Sequence, residues 1–424
     1  MSCSWRQIVV ASIMLATGTI DTTTRKVMYQ TDCINIDGGT EKFDKAWLCT
    51  FIMFLAEFFC MIIYLLCALY YRCTQKKVDE EEISEAIDQE EKKTFDASKV
   101  KITFVTREEA IHNPTGGLNW IYPLYIFLFS ACDLLGTTFM GIGLVYCDAS
   151  VIQILRGFVI VFTMLLSWIF LHRRPNRWQV TGVIFALLGL CMVGGSAIGQ
   201  DTMTSGGPKF PANALLGIAL TLLGQIFSAI QFVFEEKLLK GIISPIPPLF
   251  LVGSEGLAGS ILSLCIALPV VNAIKGSDHG SLENWRNALY VTVHTKQVLI
   301  LQIITLFSIA FFNWSSFLYA KMASAIARTF ISASVTIVVW ITMAIVYYAT
   351  HGEYGEGFHL WSILEAVGFI VMMLGTTTFN NIASVGEKIT SVLCCCLGPR
   401  EEDDSKELDS SSKKDSSDEA QAEL

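Results

Sequence analysis

The chain has 424 residues, 52% of them hydrophobic and 16% charged, with a mean hydropathy of +0.50 and a net charge of −9. Soluble domains carry about 25% charged residues, so this composition excludes a water-soluble globular protein and makes the lipid bilayer the first expected partner. The acidic excess gathers outside the apolar runs, in residues 79–96 and 401–424, so it does not describe a solute, and nucleic acid is not an expected partner.

A helix rises about 1.5 Å per residue, so roughly 20 apolar residues cross a hydrocarbon core of about 30 Å. Ten such stretches follow one another. The first, 7–27, comes after Arg6 and has the look of a secretion signal, but no small-residue cleavage site follows, and a retained helix is expected. The second is 47–71. Residues 72–119 then mix acids and bases with few aromatics, the pattern of a solvated, partly helical loop rather than a domain. Apolar stretches resume at 121–145, 150–171, 178–198, 213–234, 249–271, 297–319, 323–348 and 358–379. The last segment, 386–424, is rich in Ser, Asp, Glu and Lys, and reads as a disordered tail able to bind proteins. It carries Cys394, Cys395 and Cys396, placed where juxtamembrane thiols take reversible palmitoylation. The 13 cysteines show no Cys-x-x-Cys pairing, so neither a metal site nor a disulfide framework is expected.

Cytosolic flanks of membrane helices retain Lys and Arg. With the N terminus in the cytosol, twenty Lys and Arg fall on cytosolic segments and eight on the opposite side, and both termini are then cytosolic. Splitting the ten stretches into 1–199 and 200–385 gives two five-helix halves, and an odd number of helices per half inverts the second. Weak matches support the duplication. Glu57 precedes Cys67-Ala68-Leu69 by ten residues and Glu255 precedes Cys265 by ten, while Arg156-Gly157-Phe158 recurs as Arg328-Thr329-Phe330. Inversion puts Glu57 and Arg156 nearer the lumenal side, and Glu255 and Arg328 nearer the cytosolic side.

An ionised side chain within a span costs from about 2.5 to above 10 kcal/mol unless it meets a partner or water. Two readings follow. In the first, buried carboxylates pair with Arg156 or Arg328 simply to fix helix packing. In the second, Asp21, Glu57, Asp133, Gln153, Arg156, Gln231, Glu255, Asn313 and Arg328 line a polar cavity. There the acids receive cationic groups or protons and the arginines receive anionic groups. Glu235 and Glu236, beside Lys237 and Lys240, are either a solvated rim or a gate-like salt bridge. The glycines of the third, fifth and tenth stretches read as packing devices.

Residues 16–22 (ATGTIDT), 132–138 (CDLLGTT), 153–163 (QILRGFVIVFT), 230–237 (IQFVFEEK), 253–257 (GSEGL) and 311–313 (FFN) resemble the drug/metabolite transporter superfamily, and within it the F branch of the solute carrier 35 family. The resemblance spans both halves and leaves the acidic loop and the tail uncovered. It implies an all-α integral membrane fold of EamA-like type, with ten transmembrane helices as two inverted five-helix repeats, alternating access, and residence in a lysosomal or Golgi-type endomembrane. The expected function is secondary transport of a small polar solute by two five-helix bundles rocking about a midplane site, with proton coupling through a buried carboxylate. The alternative is a non-transporting scaffold or channel-like subunit acting through the loop and tail. No nucleoside-triphosphate loop and no His-Glu-x-x-His appear, so neither a pump nor an enzyme is indicated, no cofactor or metal is expected, and a homodimer is left open.

Overall fold

In a bilayer core no water bonds the backbone, and a helix satisfies its amides and carbonyls within one segment. The computed structural model describes residues 5–75, 105, 109, 115, 120–146, 155–171, 175–205, 214–240, 245–276, 278–354 and 360–379. They form α1 (Trp5–Gln30), a hairpin of β1 (Asp32–Ile34) and β2 (Thr40–Lys42), then α2 (Ala46–Gln75), α3 (Tyr122–Tyr146), α4 (Val159–Phe170), α5 (Arg177–Ser205) and α6 (Ala214–Lys240). There follow α7 (Pro248–Ala273), the short α8 (Trp285–His294), α9 (Lys296–Met322), α10 (Ala325–Ala349) and α11 (Ser362–Phe379). Gln153, the thiols of Cys394, Cys395 and Cys396, most of the acidic loop and the tail lie outside the described residues.

Among the described residues eight helices, α2, α3, α5, α6, α7, α9, α10 and α11, are long and apolar enough to cross a membrane. Each apolar stretch of the sequence falls on a helix, but α4 is shorter and α1 more polar than these eight. The polarity of α1 is partly hidden. Thr17 and Thr19 donate to the carbonyls of Ile13 at 2.8 Å and Leu15 at 2.7 Å, so their hydroxyls are satisfied within their own helix. In α7 the backbone widens into a π-helical turn over Ser263–Ala267 just ahead of Pro269, whose missing N–H breaks the regular ladder there.

The surface is inverted relative to a soluble protein. Leu66, Leu124, Leu215 and Ile370 point outward, while Glu57, Gln231, Glu235, Glu255 and Arg328 are buried. A multi-pass membrane protein is the direct reading.

The packing does not segregate by halves. α1 lies against α9 and α10; α6 lies against α3 and α4; α2 packs on α7, and α5 on α11. Further contacts join α7 to α3, α2 to α9, and α4 to α10. The expected pair of five-helix bundles, one per half, therefore gives way to two halves threaded through each other, because each half's first helix finds its apolar partners in the other half.

Glycine permits the closest of these approaches. A Cβ on Gly182 would stand 2.8 Å from the carbonyl oxygen of Gly375, and one on Gly375 2.6 Å from the amide nitrogen of Ala186, so α5 and α11 touch backbone to backbone. Gly256 of α7 does the same against Phe58 and Glu57 of α2. By contrast nothing stands within 4 Å of a Cβ on Gly195. Gly375→Ala is expected to push α5 and α11 apart and lower stability by about 1–3 kcal/mol, with Gly195→Ala near neutral. Melting of the detergent-solubilised variants measures the difference, and equal melting temperatures would contradict the backbone contact.

Candidate functional site

The glycine-mediated crossing of α2 and α7 sets two acids side by side. Gly256 rests on Glu57, and Glu255 is the next residue. Inversion is expected to set these acids toward opposite faces, but the crossing brings them side by side, because Gly253, Gly256 and Gly259 of α7 let Phe54, Glu57, Phe58 and Met61 of α2 lie against its backbone.

Each acid has an amide partner from another helix. Asn313 of α9 donates its Nδ2 to Oε1 of Glu57, and Gln231 of α6 donates its Nε2 to Oε1 of Glu255 at 2.7 Å. Ser130 of α3 bonds the backbone carbonyl of Glu255 at 3.0 Å, tying a third helix to the crossing. One helical turn beyond Gln231, on the same face of α6, Glu235 forms an ion pair with Arg328 of α10. The guanidinium is covered by Phe232 and Phe317, with 4.5 and 4.7 Å to the ring centroids. Asp133 of α3 is only partly buried and stands within electrostatic reach of Glu57, Glu235, Glu255 and Arg328.

The centre thus contains Glu57, Asp133, Glu235 and Glu255 around Arg328. Three buried acceptor atoms there lack a hydrogen-bond partner: Oε2 of Glu57, Oε1 of Gln231 and Oε1 of Glu235. Beyond it, Glu236 accepts from Lys240 and from the backbone N–H of Ala325 at 2.7 Å, which caps α10 together with Ser324. Lys321 pairs with Glu109 at 3.1 Å. Glu235 and Glu236 are therefore a buried salt-bridge cluster rather than a solvated rim.

Asp21 and Arg156 do not join this centre. Asp21 pairs with Arg25 one turn on in α1, at 3.1 Å. Arg156, just ahead of α4, has an exposed side chain, with Arg25 and Tyr29 close enough to act on it electrostatically. Among the described residues Arg156 has no ion pair. The repeated Arg-x-Phe pattern therefore holds two unlike environments: Arg328 buried and paired, Arg156 exposed.

Directly after the Arg25 end of α1, the hairpin and the segment before α8 are stitched together. Lys45 reaches Asp278 at 2.7 Å and Glu41 at 3.3 Å, and Asn287 donates to Glu41 and Asp278. Glu283 accepts from the N–H groups of Trp47 and Leu48 at 2.9 and 2.8 Å, capping α2 from a distant segment. Burial pushes the Glu283 carboxyl up to about 7, against those two hydrogen bonds and the charge of Lys45. Burial also opposes ionisation of Asp278, but hydrogen bonds from Lys45, Asn284 and Asn287 hold it below the usual carboxylate range.

Sequence reasoning missed Glu235 as a member of the centre. The signal was its position four residues after Gln231, which puts both on one face of α6.

Residues 102–195 match the EamA-like transporter family. Over 383 residues the chain is 27% identical to solute carrier family 35 member F6 of Homo sapiens, covering 89% of each chain. It is likewise 27% identical to the Pongo abelii protein of that name over 389 residues, 90% of this chain and 91% of that one. Uncharacterized protein C12G12.12 of Schizosaccharomyces pombe is 31% identical over 265 residues, 62% of this chain and 75% of that protein.

Two outcomes follow from this geometry. Arg328→Leu leaves Glu235 buried and unpaired and is expected to cost about 3–5 kcal/mol, most of it restored in the double variant with Glu235→Leu; a double-mutant cycle by thermal melting reads the coupling, and additive losses would deny the pair. Glu283 ionises near 4.5 when unfolded and near 7 when folded, so the folded state holds the extra proton between those values. Stability should then rise as pH falls from about 7 toward 4.5, and Glu283→Gln should flatten that slope in melting curves taken across this range.

Proposed function

We propose, for a chain that belongs to the drug/metabolite transporter superfamily and within it to the solute carrier 35 F-like family, that it is a secondary carrier moving a small polar solute by alternating access about the Glu57–Glu255 crossing. Relatives of this type are membrane transporters of the drug/metabolite class, not enzymes.

In this reading the chain has ten spans in two inverted five-helix repeats, 1–199 and 200–385. The packing pattern supports it. Number the ten spans in order, leaving out α8, and shift every number by five: the pair α1 with α9 becomes α6 with α3, α1 with α10 becomes α6 with α4, and α2 with α9 becomes α7 with α3. The pairs α2 with α7, α4 with α10 and α5 with α11 map onto themselves. A duplicated, inverted chain produces this self-mapping. The groups α1, α9, α10 and α3, α4, α6 are then the two bodies that move.

The observation that carries the function is the unlike state of the two arginines. Around Arg328 the bundle is closed by the Glu235 ion pair and the Phe232 and Phe317 rings; the Arg156 side chain is exposed. In a carrier, one gate is shut while the other is accessible. With the Lys and Arg distribution putting both termini in the cytosol, the Arg156 end faces the lumen of a lysosomal or Golgi-type membrane, and the acids of the crossing are where a proton couples to the solute.

Purified protein in proteoliposomes tests this. Saturable counterflow of a labelled solute, found by screening metabolite classes, is expected in the wild type, and at least a tenfold loss or uncoupling from the pH gradient in Glu57→Gln and Asp133→Asn, with folding intact. Unchanged flux in both variants removes the crossing as the site. No counterflow with any class favours a scaffold working through the 72–119 loop and the tail.

A further inference from the structure

The centre is unbalanced in charge and in hydrogen bonding, and both imbalances have the same sign. Glu57, Asp133, Glu235 and Glu255 face one another around a single cation, Arg328. Arg328 is already committed: its guanidinium is paired with Glu235 and its Cζ lies 4.5 and 4.7 Å from the ring centroids of Phe232 and Phe317, so an incoming anion would have to compete with Glu235 for it. The amides of Asn313 and Gln231 already donate to Glu57 and Glu255. What remains unpartnered is acceptor: Oε2 of Glu57, Oε1 of Gln231 and Oε1 of Glu235, on side chains more than nine-tenths buried. A buried acceptor without a donor costs about 1–3 kcal/mol, more when charged. The occupant that relieves these costs carries positive charge and several N–H groups.

We infer that the site between α2, α3, α6 and α7 binds organic cations with N–H donors, the alkylammonium class, held by Glu57 and Glu255 with the Gln231 carbonyl oxygen as neutral acceptor. Anionic solutes are disfavoured there, since they meet an excess of carboxylate around one arginine that is already paired. Arg156 does not alter this, because it belongs to the other end of the bundle beside the Asp21–Arg25 pair. This inference deepens the carrier reading by naming its substrate class, but the binding step is independent of transport.

The test uses full-length protein in detergent with four probes: butylammonium, triethylammonium, tetraethylammonium and inorganic phosphate. Butylammonium and triethylammonium are expected to raise the melting temperature saturably. Tetraethylammonium, which has the charge but no N–H, should bind on the order of tenfold more weakly, and phosphate should have no effect. Glu57→Gln and Glu255→Gln should each weaken butylammonium binding by about tenfold or more. Should these variants not fold, labelling of wild-type Glu57 and Glu255 by a hydrophobic carbodiimide, read by mass spectrometry, should slow in butylammonium. A response to phosphate alone, or none to any ammonium probe and no protection from labelling, overturns the inference. Labelled butylammonium and phosphate in proteoliposomes separate the two readings: ammonium binding without counterflow sinks the carrier and keeps the site, while phosphate counterflow without ammonium binding keeps the carrier and sinks the cation class.

Discussion

Charge held among apolar helices must be compensated by the protein itself, since the surrounding medium offers neither water nor counter-ions. The ion pair of Glu235 with Arg328 meets that requirement at one end of the centre, and the Asn313 and Gln231 amides meet it in part at Glu57 and Glu255. Each of these contacts joins different helices: α6 to α10, α9 to α2, and α6 to α7. The relative placement of the long helices is thus tied to how a few polar atoms are satisfied, which a non-directional apolar surface does not achieve. Satisfaction is incomplete at the second oxygens of Glu57 and Glu235, which have no hydrogen-bond partner.

Close helix approach makes those contacts reachable. Side chains of Asn, Gln and Glu span only a few bonds, so the helices carrying them must pack tightly, and glycine allows it where Gly256 of α7 meets α2; Gly182 and Gly375 do the same between α5 and α11. In lipid there is no hydrophobic gain from bringing two apolar helices together; van der Waals fit and interhelical hydrogen bonds supply the attraction instead. Threading α1 against α9 and α10, and α6 against α3 and α4, also makes the halves inseparable as units.

The ends of the bundle differ in kind. One is shut by buried ion pairs, Glu235 with Arg328 and Glu236 with Lys240, and by the cap on α10. The other carries a polar clasp, Lys45, Glu41, Asp278 and Asn287, with Glu283 holding the start of α2, and an exposed Arg156. Glu283 ionises close to neutral pH, so the clasp sits where a modest acidification changes its charge.

The solvent, the helical class and the approximate helix positions are legible in the letters alone, because apolar runs of bilayer length have only one common way to satisfy their backbone. The sequence also picked out most of the centre, since Glu57, Asp133, Glu255 and Arg328 stand out wherever charge is costly. It did not separate Asp21 and Arg156 from that group, and it left Glu235 undecided between a wet rim and a gate, because a residue near the end of an apolar run has the same letters around it whether it faces water or a guanidinium. Which acids lie side by side, which amide serves which carboxylate, and which arginine is buried and paired were decided only by tertiary structure: these are distances between residues 24 to 256 positions apart, set by how glycine-lined helices cross rather than by local pattern.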